Sequence, residues 1–473
     1  MLSILPAELL FSIASYLDGH TDTLHLACTC RALYPVLLPK VFTSLDLITH
    51  RKGHLSHLVH TLARNLPLAH EVRTLRVPVG WRPASAGVRY EPDVILPVLK
   101  SVLGPDDDLS TWDREIQDPD HNDALTVLLL ALCPNLQELV LEVHEFSNYT
   151  LEWMERIAPL ENSFLSKLQN LTVDCSDTDD GLPSSHFLPI LALPSLRHFT
   201  AHLVCDGGNT DEEYEEDLEF DYASYIPART AYSNVTHITL KSSCSRRGFA
   251  DLLAAPRALE SFILEYAENP NYADDDGSMH ASRFYPPLSR HSERTLQALV
   301  LTAESAAQYA AYHDSYTDYD YVGSFAGFGA LRVIQMQIAH LLHWHEEWDF
   351  NGRGLQNQLR HVLPRSLERL VLDDLDPYDM KGLVATFKDL FSGGKERVPN
   401  MVYLEIKGNW MHEHQSTEES NMQPRPIPAM MGEYAAFKEE MGMLCDGVGV
   451  EFCLRDLHVE EIVARNRAGG FVE

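Results

Sequence analysis

One six-residue pattern, L-x-x-L-x-L with conservative replacements, recurs along most of this chain and limits what it can become. It reads LQELVL (136–141), LQNLTV (168–173), LRHFTA (196–201), VTHITL (235–240), LESFIL (259–264), LQALVL (296–301), LRVIQM (331–336), LERLVL (367–372) and MVYLEI (401–406). Successive copies lie 24 to 39 residues apart. A unit of this size cannot bury its apolar edge alone, so stacked units rather than separate globules are expected. VRTLRV (72–77) reads as an earlier copy and VEFCLRDL (450–457) as a degenerate terminal one.

Each copy reads as a strand. Successive residues of a strand face opposite sides, so the residue between the second and third apolar positions faces outward. Those residues are Val140, Thr172, Thr200, Thr239, Ile263, Val300, Gln335, Val371 and Glu405. Seven of the nine are β-branched, which suits a parallel sheet and would not follow from leucine-rich helices. Helical stretches fall between copies at Asp123–Leu132, Ala250–Ala255, Asn357–Leu363 and Lys381–Phe391. A strand and a helix per unit build an α/β solenoid, with parallel strands on its concave side and helices on its convex side. Insertions interrupt the array: an acidic stretch with eight carboxylates at 207–221, a Pro-containing one at 268–290, a Tyr/Asp-rich one at 309–329 and a polar one at 411–432. The first and last are expected to be mobile by composition.

At 473 residues the chain exceeds one ordinary domain, and its 45% apolar and 22% charged residues are a globular balance. The net charge of −32 argues against nucleic acid, which needs clustered Lys and Arg, and against anionic membrane surfaces. The eight cysteines form no CxxC pair, which fits reduced thiols in the cytosol or nucleus; Cys28 and Cys30 are expected to pack inside helices rather than bind metal. The apolar N-terminus lacks a basic n-region, and Pro6 and Glu8 interrupt it, so it does not read as a secretion signal. The longest apolar run, Leu125–Cys133, is far short of a membrane span. Without secretion the sequons at Asn148, Asn170 and Asn234 are inert.

Ahead of the array stands a short helical segment. Pro6 suits a first helical turn, and Leu9, Leu10, Ile13, Ala14 and Leu17 then share one face until Asp18-Gly19 ends the helix. Thr21 or Asp22 can cap a second helix with Leu24, Ala27 and Cys28 turned inward. Pro35 and Pro39 predict short turns over Arg31–Phe42 rather than one helix.

The pieces Leu5-Pro6-Ala7-Glu8-Leu9-Leu10, Ile13-Ala14-Ser15-Tyr16-Leu17-Asp18 and Leu26-Ala27-Cys28-Thr29-Cys30-Arg31-Ala32-Leu33-Tyr34 resemble, in order and spacing, the F-box, most closely that of filamentous-fungal F-box proteins. The copies that follow resemble the leucine-rich repeats found behind many F-boxes, although the Asn or Cys of the standard repeat is mostly missing. The resemblance implies a Skp-type adaptor as partner and, through it, the cullin of a ubiquitin ligase. It places adaptor contacts on Leu5, Pro6, Leu9, Ile13 and Leu17, with Leu26, Cys30 and Leu33 as helper or core positions; Leu10 and Ala14 are expected to pack internally. The expected organisation is an F-box at 1–47, a helical linker at 48–70, a leucine-rich-repeat-like solenoid at 71–460 and a tail at 461–473. A target protein of unknown identity would lie on outward-facing residues, among them Val140, His198, His202, His237, Lys241, Val371 and Tyr403. The implied function is recruitment of a target to the ligase in the cytoplasm or nucleus.

Motifs for chemistry are sparse. His340, His343, His345, Glu346 and Glu347, and separately His412 and His414, fall short of HExxH. No GxSxG elbow occurs; Gly393-Gly394-Lys395 lacks the rest of a P-loop, and Gly323, Gly327 and Gly329 are wrongly spaced for a dinucleotide. Neither catalysis nor a metal or other cofactor is expected. The alternatives are a scaffold that uses the adaptor without ubiquitylation and, more remotely, a metal-dependent hydrolase at the 340–347 histidines.

Overall fold

The computed structural model describes residues 5–17, 20–48, 54–79, 90–105, 107–118, 121–143, 148–160, 164–175, 181–206, 229–245, 247–267, 281–303, 321–342, 358–373, 380–408 and 428–456. They fall into two compact units: Met1–Cys205 with Ala231–Thr236 and Ala255–Arg257, and Asp206–Thr230 with His237–Ala254 and Ala258–Glu473.

The first unit begins with three helices, α1 (Ala7–Ser15), α2 (His20–Cys28) and α3 (Tyr34–Phe42). The prolines do not break α3. Pro35 sits in its first turn, where its missing N–H has no partner to lose; Pro39 lies inside the helix and forgoes the bond to the Pro35 carbonyl, a loss set against the burial of Leu37 and Val41. Cys28 and Cys30 are exposed, contrary to the expected packing: α2 turns Ala27 inward and leaves the helix end to solvent.

Behind this module, β1 (Ser44–Asp46), β2 (Thr74–Val79), β3 (Glu138–Val143), β4 (Asn170–Cys175) and β6 (His198–His202) pair in parallel in that order. A short ladder of β5 (Leu182–Pro183) and β7 (Val204–Cys205) stands beside them. The apolar positions of the repeat point one way: Leu75, Leu139, Leu171 and Phe199 stand in register and are buried. β1 falls within the first 47 residues, so the end of the N-terminal segment supplies the first strand. The stretch expected as a linker forms α4 (His54–Arg64) and α5 (Leu66–Ala69), and α4 buries Val59 and Leu62 against α6 (Pro92–Val102) and α8 (Asp123–Leu132). α8 is apolar all round and nearly all buried, because α4, α6, α7 (Leu109–Gln117) and α9 (Asn148–Ile157) surround it. Asp123, in its first turn, is buried and accepts from the Tyr149 amide at 2.7 Å, the Thr150 amide at 2.9 Å and the Thr150 hydroxyl, capping α9.

In the second unit β8 (His237–Ser243), β9 (Ser261–Tyr266), β10 (Ala298–Ala303), β11 (Val333–Gln337), β12 (Arg369–Asp373), β13 (Tyr403–Gly408) and β14 (Glu451–Asp456) form a parallel sheet in sequence order. Buried Ile238, Phe262, Leu299, Ile334, Leu370 and Leu404 align across it. Connecting helices at Ala250–Ala254, Tyr285–Ser292, Gln358–Val362, Met380–Phe391 and Pro428–Gly447 follow the strands, close to the stretches read as helical. After β8 the Asp206 carboxylate gathers the Ser245 hydroxyl at 2.7 Å and the Arg247 and Phe249 amides at 3.0 and 2.7 Å. Among the described residues no helix is long and apolar enough to cross a membrane.

Candidate protein-binding surfaces

In the N-terminal module Leu10, Ala14, Ala27, Leu33 and Leu37 form a small core, with Leu5, Leu26 and Val36 packed against it. Leu33, one of the positions considered for the adaptor, is 2% exposed and belongs to this core; three short helices need it to close their centre. Leu5 and Leu26 lean inward as well. Pro6, Leu9 and Cys30 face solvent, and Ile13 and Leu17 are half-buried. Leu9 is 51% exposed, with Tyr16 exposed along the same face; Phe11, on another face of the helix, is exposed as well. Leu9, Ile13 and Tyr16 recur at i, i+4 and i+7 and so form a second stripe, one that the sequence contains but that the apolar face through Leu10 and Ala14 overshadows.

On the open side of the first unit's sheet, Arg76, Val140, Thr172 and Thr200 stand opposite one another across β2, β3, β4 and β6. Val140 is half-buried between its neighbours. His198 is exposed and His202 half-buried on β6. Arg76 donates to Asp46 at 3.1 Å, tying β1 to β2 on this face. Glu138, Glu142 and Asp174 leave the remainder acidic.

The open side of the second unit's sheet carries a middle row of Thr239, Ile263, Val300, Gln335, Val371, Glu405 and Cys453. His237 on β8 is half-buried and Lys241 exposed. Val371 departs from expectation. It faces this side yet is 1% exposed, because its neighbours link up around it. Gln335 donates to Asp373 at 2.9 Å, Lys407 pairs with Asp373 at 3.2 Å, and Arg369 donates to Glu405 at 3.1 Å. It therefore offers no area to a partner in this conformation.

Glu405 is the centre of that network. It is 1% exposed, held by Arg369 from β12 on one flank and by Arg455 from β14, at 2.9 Å, on the other. The Tyr403 hydroxyl donates to it at 2.9 Å, and the Arg369 guanidinium lies 4.6 Å from the centre of the Tyr403 ring. Burial, and then the bond to Glu405, push the Tyr403 hydroxyl up to about 12. Tyr403, an expected contact residue, is thus half-buried and engaged. The links run diagonally, two residues off register, since Arg369 stands opposite Tyr403 and Arg455 opposite Lys407; only the register of the sheet brings them to Glu405.

Among the described residues no group of three or more His, Cys, Asp or Glu could hold a metal. His340 is buried; His343, His345, His412 and His414 lie outside the described residues, as does most of the Tyr/Asp-rich stretch. None of the eight cysteines is joined in a disulfide. The arrangement offers surfaces for another protein: an apolar helical stripe, and sheet faces with ordered charges. The sequence profile described as Leucine-rich repeat domain matches residues 164–420, more than half of the chain. No curated protein matches the sequence.

Proposed function

The chain belongs to the leucine-rich repeat domain family, a protein-interaction architecture, and from that premise we propose that it is a substrate-recruiting adaptor of a cullin–RING ubiquitin ligase. In this reading residues 1–47 act as an F-box that docks a Skp-type adaptor, and the repeats hold a target protein, in the cytoplasm or nucleus. The chain itself makes and breaks no bonds and needs no cofactor. It raises the local concentration of target lysines near a transfer centre carried by other subunits.

The observation that carries this reading is the division of labour in α1. Leu10 and Ala14 close the module, while Pro6, Leu9, Phe11 and Tyr16 are left at the surface. A module this small cannot bury every apolar residue it has, and a helix stripe of this kind suits a complementary apolar groove.

The test is affinity purification of the full chain beside a Pro6→Ala/Leu9→Ala variant, with identification of bound proteins. The wild-type chain should retain adaptor and cullin, and the variant should lose both while its repeats stay folded. Adaptor retained without cullin would mark a scaffold outside the ligase; undiminished adaptor binding by the variant would refute the assigned surface. Leu10→Ala serves as contrast, costing the module about 2–5 kcal/mol through a core cavity.

A further inference from the structure

β14 pairs with β13 on one side, and among the described residues no strand pairs with its other side. Its ladder to β13 opens with the Glu451 amide donating to the Val402 carbonyl at 2.9 Å. Backbone groups of alternate residues in a parallel pair point the same way, so those of Phe452 and Leu454 point to the open side. These two residues occupy the apolar positions of the repeat. Both are half-buried, whereas Leu404 and Ile406, their partners on β13, are fully buried. An edge with unpaired backbone and part-exposed apolar side chains is a template for another strand.

We propose that a second copy of this chain fills that edge, the two β14 strands pairing antiparallel about a two-fold axis at Cys453. The residues select the register. Opposed residues of an antiparallel pair face the same side, so a two-fold pairing centres on one residue. Centred on Cys453, Phe452 of each copy exchanges backbone bonds with Leu454 of the other, through the groups that point outward. Two Phe–Leu pairs then continue the apolar layer. On the opposite side Glu451 of each copy faces Arg455 of the other, at the closer, non-hydrogen-bonded positions. Arg455 keeps 43% of its side chain exposed while its Nε holds Glu405, and Glu451 is exposed. Centring on Leu454 would set Phe452 against Asp456; centring on Phe452 would pair three strand residues in place of five. The Cys453 thiols of the two copies come opposite one another, with Cα atoms about 4.5 Å apart, within the range of about 4.4–6.8 Å that a disulfide spans.

The full chain should pass from monomer to dimer with rising concentration in sedimentation equilibrium. Glu451→Arg should weaken the dimer at least tenfold, since it opposes two pairs of like charges. Mixing that chain with an Arg455→Glu chain sets opposite charges in every cross-copy pair, so the mixture should dimerise where each alone does not. Diamide provides a readout that does not depend on the charge variants: it takes up two hydrogens as two thiols join, giving a covalent dimer that Cys453→Ser abolishes although the exposed Cys28 and Cys30 remain. A chain that stays monomeric, or a dimer indifferent to Glu451→Arg whose crosslink survives Cys453→Ser, would overturn the proposal.

Discussion

Removing the arginines that flank Glu405 one at a time and then together should reveal a strongly non-additive loss of stability. At an effective dielectric near 20, opposite charges about 4 Å apart attract by roughly 4 kcal/mol. Arg369 and Arg455 are 50% and 43% exposed, so water competes for them and much of that attraction is offset by their hydration. With either arginine gone, Glu405 keeps the other and the Tyr403 hydroxyl, so Arg369→Ala or Arg455→Ala should cost about 1 kcal/mol each. The double variant strands a carboxylate that is 1% exposed, and loss of all charged partners of a buried ion costs about 3–5 kcal/mol. The double should therefore exceed the sum of the singles by about 1–3 kcal/mol. Adding Glu405→Leu to it should recover most of the loss, because an apolar side chain there extends the row of Ile263, Val300 and Val371. Urea denaturation followed by hydrogen exchange of the β13 and β14 amides measures both quantities. An additive double, or a triple variant no more stable than the double, would refute the description of Glu405 as a buried charge dependent on its flanks.

Asp123 and Gly248 carry three further outcomes. Asp123→Ala should destabilise the first unit by about 2–4 kcal/mol, from a lost cap and donors stranded at Tyr149 and Thr150, with Asp123→Asn milder. Burial raises the Asp123 carboxyl above its ordinary value, against the pull of its three bonds, so its titration favours folding fully at pH below 3.8 and loses that contribution as pH rises through the raised value. The stability of wild type relative to Asp123→Asn should accordingly fall as pH rises from acid toward neutral, and a difference that grows instead would reverse the assignment. Gly248→Ala should cost the second unit at least about 2 kcal/mol in thermal denaturation: φ is +67° there, which disfavours a side chain by about 1–2 kcal/mol, and a Cβ would come 2.3 Å from the Arg283 carbonyl oxygen.

The strands were legible because each copy carries two signals at once, leucines on one parity and β-branched residues on the other. That pairing marks a two-residue period, which a helix cannot reproduce, and the register of the sheet places the marked residues opposite one another from Arg76 to Thr200 and from Thr239 to Glu405. The helices at Asp123–Leu132 and Ala250–Ala254 were legible through their apolar runs. Proline misled at α3: Pro35 loses no partner in the first turn, and the one bond Pro39 forgoes inside the helix is outweighed by the burial of Leu37 and Val41. Cys28 misled because small residues suit an interior and a helix end alike.

By itself the sequence determined the repeating strand, the apolar face it buries and the compact core of the opening module, since these follow from periodicity and each period is local. Tertiary structure alone decided which outward residues are surface. Val371, apolar and outward, is covered by polar and charged side chains that three strands contribute, whereas Leu9, equally apolar, is left to solvent beside Leu10. Exposure belongs to a neighbourhood assembled from distant segments, and a side chain's own chemistry cannot report what those segments place above it.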